Sequence, residues 1–256
     1  MLRKAIVRPP SANFGEGLTT VDLGSPDYER ALAQHEAYCA ALQQSGLELL
    51  RLDSEAAHPD STFVEDTAVL VKGCAILTRP GASSRVEEVL SIRAVLAHHY
   101  SELHTIEAPG TLDGGDVCEA ADHFFIGVSE RTNEPGARQL ATLLASCGYS
   151  SALVDIRGVP GILHLKSGLA YLSDNRLAVI PTLAEYEQFR GYDVIMVASS
   201  EQYAANCICI NDHILVAAGY PLFEKHLREL GLETIALEMS EFQKMDGGLS
   251  CLSLRF

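Results

Sequence analysis

The sequence predicts an α/β protein of five ββαβ pseudo-repeats set around a common axis, in one domain covering residues 1–256. Three observations predict it. Polar corners recur ahead of apolar runs at Asp66, Asp116, His164, Asn206 and Asp246, at intervals of roughly forty to fifty residues. Short strands come in pairs joined by tight turns, so neighbouring strands must be antiparallel. Helical spacing and another short strand follow most pairs. A doubly wound parallel sheet is the alternative, and the tight strand pairs argue against it.

The elements follow in order. "SPDYERALAQHEAYCAALQQSG" reads as a helix, with Pro near its start and Gly just past its end. "PDSTFVEDTAVLVKGCAILTRPG" is a corner, a strand, a "KG" turn and a strand. "GTLDGGDVCEAADHFFIGVSERTN" repeats this with a turn at "AADH", "GILHLKSGLAYLSDNRLAVIP" with one at "SDNR", and "YAANCICINDHILVAAGYP" with one at "ND". "SRVEEVLSIRAVLAHHY", "EPGARQLATLLASCG", "LAEYEQFRG" and "PLFEKHLRELG" carry helical spacing. "LHTIEA", "SALVDI", "DVIMVA" and "ETIALEM" are short strands. The first unit has to be completed by strands from both ends of the chain. That pins the final apolar strand, and Cys251 just before it, inside a sheet.

The chain has 256 residues, 47% hydrophobic and 21% charged, enough for a substantial core. With 19 basic against 34 acidic residues it carries a formal charge of -15 and shows no basic stripe, which argues against a nucleic-acid partner. No apolar run reaches membrane-spanning length, and the piece Ala5 to Val7 is too short for a signal-peptide core. The seven cysteines are odd in number and lie mostly in apolar patterns, as reduced residues of a cytoplasmic protein would.

Chemistry is concentrated in the corners. Cys251 follows "DGG", where glycines permit tight backbone and close approach of a ligand. A free cysteine is more often an inert core residue. Nucleophilic use needs a thiolate and a proton donor or acceptor nearby, and His164 in "GILHLKSG" is the best partner. "FVEDT" supplies Glu65 and Asp66, and "LDGGD" supplies Asp113 and Asp116. Such acids commonly cap turns; facing one pocket, they would instead favour a cationic substrate. The cysteine and histidine spacings match no zinc pattern.

Read together, "PDSTFVEDTAVL", "LDGGDV", "FFIGVSERTN", "LHLKSGLAYL", "YAANCI" and "DGGLSCLSLRF" resemble the dimethylarginine dimethylaminohydrolase family of the pentein superfamily, from "IVRPP" through the last strand. The resemblance implies a five-bladed α/β propeller (the pentein fold). It implies hydrolysis of Nω,Nω-dimethylarginine or the monomethyl form to citrulline and an alkylamine. It makes Cys251 the nucleophile, His164 the general acid and base, and Asp113 the acid that orients the guanidinium and His164. The family uses Glu or Asp at that position. Asp66, with Glu65 beside it, would bind the guanidinium nitrogens. Asp60 would lie near the substrate backbone, Arg85 and Arg131 would grip its carboxylate, Leu18 would belong to a loop over the pocket, and Met245 would offer its carbonyl near the cleaved group. Nothing in this chemistry requires a metal or an organic cofactor. The expected partner is a methylated arginine, with no nucleic acid and no membrane, and a homodimer is the assembly expected by analogy.

Three other readings are open. An arginine or agmatine deiminase-like enzyme would use the same groups, although agmatine has no carboxylate for Arg85 and Arg131. A non-catalytic binding propeller would have no reason to keep Cys251, His164 and the acids together. A metal-dependent hydrolase would use the Asp/His set and lose activity to a chelator.

Overall fold

Short apolar runs broken by turn residues give short strands, and here they form five three-stranded sheets. The structure is a computed structural model describing residues 1–256. The first blade holds β1 (Lys4–Val7), α1 (Tyr28–Gln44) and β2 (Glu48–Arg51). The second holds β3 (Ala68–Val71), β4 (Cys74–Leu77), α2 (Glu88–Leu96) and β5 (Glu102–Thr105). The third holds β6 (Val117–Ala120), β7 (His123–Val128), α3 (Glu134–Ser146) and β8 (Ser150–Asp155). The fourth holds β9 (Leu169–Tyr171), β10 (Arg176–Val179) and β11 (Asp193–Met196). The fifth holds β12 (Ile208–Ile210), β13 (His213–Ala217), α4 (Pro221–Glu229) and β14 (Glu233–Leu237). A short α5 (Ser240–Gln243) leads on to β15 (Leu254–Arg255).

In every blade the middle strand is antiparallel to its hairpin partner and parallel to the outer strand, as in β4 with β3 and β5. The first blade obeys the same rule with its hairpin cut open. β15 pairs antiparallel with β1, Ile6 opposite Leu254, and β1 pairs parallel with β2. The closing strand is also tied by the Lys4 amide donating to the Phe256 carbonyl at 2.8 Å. The sequence expectation of a strand drawn from each end holds.

Local chemistry explains the element limits. Asp27 caps α1 by accepting the Arg30 amide, and Asn133 caps α3 by accepting the Gly136 amide, at 2.9 Å each. The hairpin turn of the second blade needs left-handed backbone, which Gly73 supplies at φ +84°. "LAEYEQFRG" departs from its helical spacing: that stretch is turns with one 3₁₀ turn, Glu187–Phe189. The aromatic residues decide this. Phe189 is buried edge-on against Phe125 of β7, 5.1 Å between ring centres, and Tyr186 stacks on Phe189. Both rings serve the core, which a regular helix in so short a crossover would not allow.

The blades bury their apolar faces against one another, for instance Ile6 and Leu254 with Val64, Ala75 and Leu77. No helix is long and apolar enough to cross a membrane.

Candidate active site

Ahead of each blade's first strand the chain makes a 3₁₀ turn: Val64–Thr67, Gly114–Asp116, Leu165–Ser167, Ser199–Ala205 and Ser250–Leu252. These turns are the polar corners of the sequence. They carry or flank Asp66, Asp113, His164, Asn206 and Cys251, and they bring residues far apart in the chain to one end of the axis. A tight cavity of about 20 Å³ is lined there by Leu18, Asp60, Asp66, Arg85, Arg131, His164, Met245 and Cys251, with Phe63, Leu163, Asp246 and Gly247. Asp113 lies one layer behind, in contact with His164.

The hydrogen bonds fix the reacting groups. His164 Nε2 faces Asp113 Oδ2 at 2.9 Å, and Asp113 Oδ1 accepts the Gly81 amide at 2.8 Å. Both Asp113 oxygens are thus engaged within the protein. Asp66 Oδ1 accepts the Gly115 amide at 2.8 Å, and its Oδ2 accepts Arg85 Nη1 at 2.6 Å. Gly115 is there for space: a Cβ would stand 2.7 Å from His164 Nδ1 and 2.9 Å from Asp66 Oδ1. The Nδ1 face of His164, free of Asp113, therefore lies beside Asp66. Cys251 is 8% exposed, and its amide donates to the Gly248 carbonyl at 3.2 Å.

The electrostatics follow from burial and charge. Burial alone would lower His164, but the charge of Asp66, the hydrogen bond to Asp113 and the nearby Asp116 lift its pKa to about 9. Burial would raise Asp66, but the charges of His164 and Arg85 and the hydrogen bonds from Arg85 and the Gly115 amide hold it at about 2. Burial, then Glu65 and Asp66, push the Cys251 thiol up to about 12. Near neutral pH the pair is a thiol and an imidazolium, short of one positive charge near the sulfur.

Two of the expected binding residues have partners of their own within the protein. Glu65 does not face this cavity. Its Oε1 pairs with Lys166 at 2.7 Å and Arg255 at 2.8 Å, beside a separate cavity of about 380 Å³ that it lines. Consecutive residues of a 3₁₀ turn point a third of a turn apart, so Glu65 and Asp66 cannot share one face. Arg85 lines the cavity with its guanidinium held in place by the protein. It is 4% exposed, and Nε, Nη1 and Nη2 already donate to Glu88, Asp66 and backbone carbonyls. Arg131 makes no side-chain ion pair or hydrogen bond within the chain, and its guanidinium is the uncommitted one. The Leu18 amide donates to both Asp60 oxygens, at 3.0 and 3.2 Å, so Asp60 anchors the covering loop. That loop is latched again where Thr20 donates to Asp246 through its amide at 2.5 Å and its hydroxyl at 3.1 Å.

Asp66, Asp113 and His164 place ligand-type atoms within 4.8 Å of one another, the one grouping that could hold a metal. Their atoms are already paired with Arg85, Gly115, Gly81 and each other, which suits a proton and charge network. Glu88, Lys166, Arg255 and Ser250 carry parts of this network without having been singled out in the sequence. Lys166 and Arg255 lie inside the motifs "LHLKSG" and "CLSLRF", but no spacing there marks either as a partner of Glu65.

Comparison with known proteins agrees with this geometry. The family model described as arginine deiminase matches residues 56–199. A dimethylarginine dimethylaminohydrolase of Pseudomonas aeruginosa is 42% identical over the whole of both chains. One from Streptomyces coelicolor is 33% identical over 99% of this chain and 96% of its own. The solved Pseudomonas aeruginosa structure, a cysteine-to-serine variant complexed with citrulline, superposes with a TM-score of 0.97 at 41% identity over the whole of both chains. With five ββαβ blades, the polar turns gathered at one end and likeness along the entire length, the chain belongs to the dimethylarginine dimethylaminohydrolase family.

Proposed function

We propose that the protein hydrolyses Nω,Nω-dimethyl-L-arginine and Nω-methyl-L-arginine to L-citrulline and dimethylamine or methylamine, through a covalent S-alkylthiouronium on Cys251. The observation that carries this reading is the meeting of Cys251, His164 and Asp66 at one tight cavity that also holds the uncommitted Arg131. The substrate is a small-molecule arginine derivative, and a homodimer is proposed by analogy.

The charges suit a cation. A guanidinium beside Asp66 supplies the positive charge that the sulfur lacks, and so draws Cys251 from thiol toward thiolate. Asp66 in turn keeps the guanidinium protonated, which makes its carbon electrophilic. Arg131 takes the substrate carboxylate, and Asp60 with Leu18 closes the covering loop over the substrate backbone. Sulfur attacks the guanidinium carbon to give a tetrahedral adduct. His164 gives its proton to the departing amine as the C–N bond breaks, leaving the thiouronium. His164, now neutral and oriented by Asp113, takes a proton from water. The water oxygen bonds to the same carbon, the C–S bond breaks, and citrulline and the thiol are released. The Met245 carbonyl lines the leaving-group side. In this scheme every step is carried by side chains of the protein.

The test is citrulline release from asymmetric dimethylarginine, monomethylarginine, arginine and agmatine, by wild type and Cys251→Ser. Turnover of the methylated substrates, lost in the variant, is expected. Preference for arginine would make the protein a deiminase, and a folded protein inactive on all four would overturn the reading in favour of a binding role.

A further inference from the structure

One hydrogen bond recurs around the axis. Asp66 Oδ1 accepts the Gly115 amide at 2.8 Å, Asp116 Oδ1 accepts the Leu165 amide at 2.9 Å, and Asn206 Oδ1 accepts the Ser250 amide at 2.9 Å. Each acceptor stands at the polar turn before its blade's first strand. Each donor stands in the matching turn of the next blade. The three acceptors are 2%, 0% and 7% exposed, so these are dry contacts in which a lost partner leaves a buried amide unpaired. What each amide adjoins is telling: Gly115 precedes Asp116, Leu165 follows His164, and Ser250 precedes Cys251. A side chain of one blade therefore sets the turn that carries a reacting group in the next.

The third link is the most extensive. Besides the Ser250 amide, Asn206 reaches the Ser250 hydroxyl through Nδ2 at 3.2 Å. Its amide group lies so close over Gly248 that a Cβ there would fall 2.5 Å from it. Tyr203, three residues earlier, donates its hydroxyl to the Gly247 carbonyl at 2.9 Å. The Gly247–Cys251 segment is thus gripped from the fifth blade before it turns into β15.

The chemistry of the three acceptors differs in step with their neighbours. Asp66 and Asp116 adjoin His164, whose positive charge they stabilise. Asn206 adjoins a thiol that has to become an anion. The charged or titratable groups that line the cavity with that thiol are Asp60, Asp66, Arg85, Arg131, His164 and Asp246, and the charges of Glu65 and Lys166 and the Tyr203 hydroxyl act on it from outside the cavity. A carboxylate at position 206 would add negative charge near a sulfur already held protonated by burial and by the charges of Glu65 and Asp66. An amide gives the same acceptor without that penalty.

We propose that Asn206 is the positioning residue for Cys251: a neutral acceptor that fixes the turn bearing the sulfur while adding no charge against the thiolate. This rests on Cys251 being the nucleophile.

The test uses the full chain with Asn206→Leu and Asn206→Asp. It measures the melting temperature, hydrogen exchange of the 247–252 peptide, kcat and KM for dimethylarginine, and the pH dependence of Cys251 alkylation by iodoacetamide, read by peptide mass. Asn206→Leu should lose amide protection at Ser250 and lower kcat by about a hundredfold, the scale of a misplaced reacting group, with KM within about threefold. Asn206→Asp should keep the protection and KM, yet lower kcat and move alkylation to higher pH, a shift that a purely structural role would not produce. Should the Leu variant fail to fold, the Asp variant decides the matter. Wild-type kcat and alkylation in a folded variant would overturn the proposal. If wild type releases no citrulline, the proposed reaction fails by itself, because exchange and alkylation still read the contact without turnover.

Discussion

His164 shows how a single buried side chain can carry both chemistry and stability. It is 7% exposed, and yet the acids around it hold its pKa at about 9 against an ordinary value of 6.5. A group raised on folding contributes stability that is fully present below its unfolded pKa and is lost as pH rises through the folded one. The melting temperature should therefore fall between pH 6.5 and about 9, and the fall should shrink in His164→Gln. Parallel curves for the two proteins would refute this. Cys251 was legible in the sequence because it closely follows a glycine pair, and His164 and Asp66 because each stands in a corner just ahead of an apolar strand. The partners were not. That Arg85 is spent on Glu88 and Asp66, or that Glu65 turns to Lys166 and Arg255, depends on which way each position of a 3₁₀ turn faces. Composition and spacing do not encode that direction.

Glycines in the turns divide into those that allow a backbone angle and those that leave room. Gly73 has φ +84° and nothing within 4 Å of where a Cβ would sit, whereas Gly115 is crowded by His164 and Asp66. The two should respond oppositely. Gly73→Ala is expected to cost about 1 kcal/mol of stability through its left-handed backbone and to leave kcat unchanged. Gly115→Ala is expected to lower kcat at least about tenfold by displacing His164. Thermal melts and steady-state kinetics on both variants check this, and a fall in kcat for Gly73→Ala alone would contradict it. The hairpins were readable because their turns and alternation are local. The fourth blade's crossover was not, since Tyr186 and Phe189 answer to Phe125 across the core rather than to their own periodicity.

The ring as a whole is closed by two residues of β15 laid against β1. Leu254 is buried, and Arg255 reaches Glu65 of the second blade, so the closing strand also braces the turn beside Asp66. Removing residues 254–256 should lower the melting temperature and abolish citrulline release together. A circular permutant opened at the Lys72–Gly73 turn, with the present ends joined, should keep both. A truncated chain that melts and turns over like wild type would show that the ring does not depend on this seam. The repeat order, and the sharing of one blade between the two ends, were legible because the pattern counts four complete units and leaves one incomplete. The cavity was not, because it is made by contacts between blades.

The seam also orders events in time. Cys251 and β15 are made together and late, after the other four blades and β1 have been synthesised. A growing chain can begin to pack those blades while still on the ribosome, but it holds no reactive thiol until the strand that completes the first blade arrives with it. Catalytic competence and completion of the fold then come in the same step. A chain that stops short of Cys251 should be inert toward the substrate, so turnover would report that the closing strand has been made.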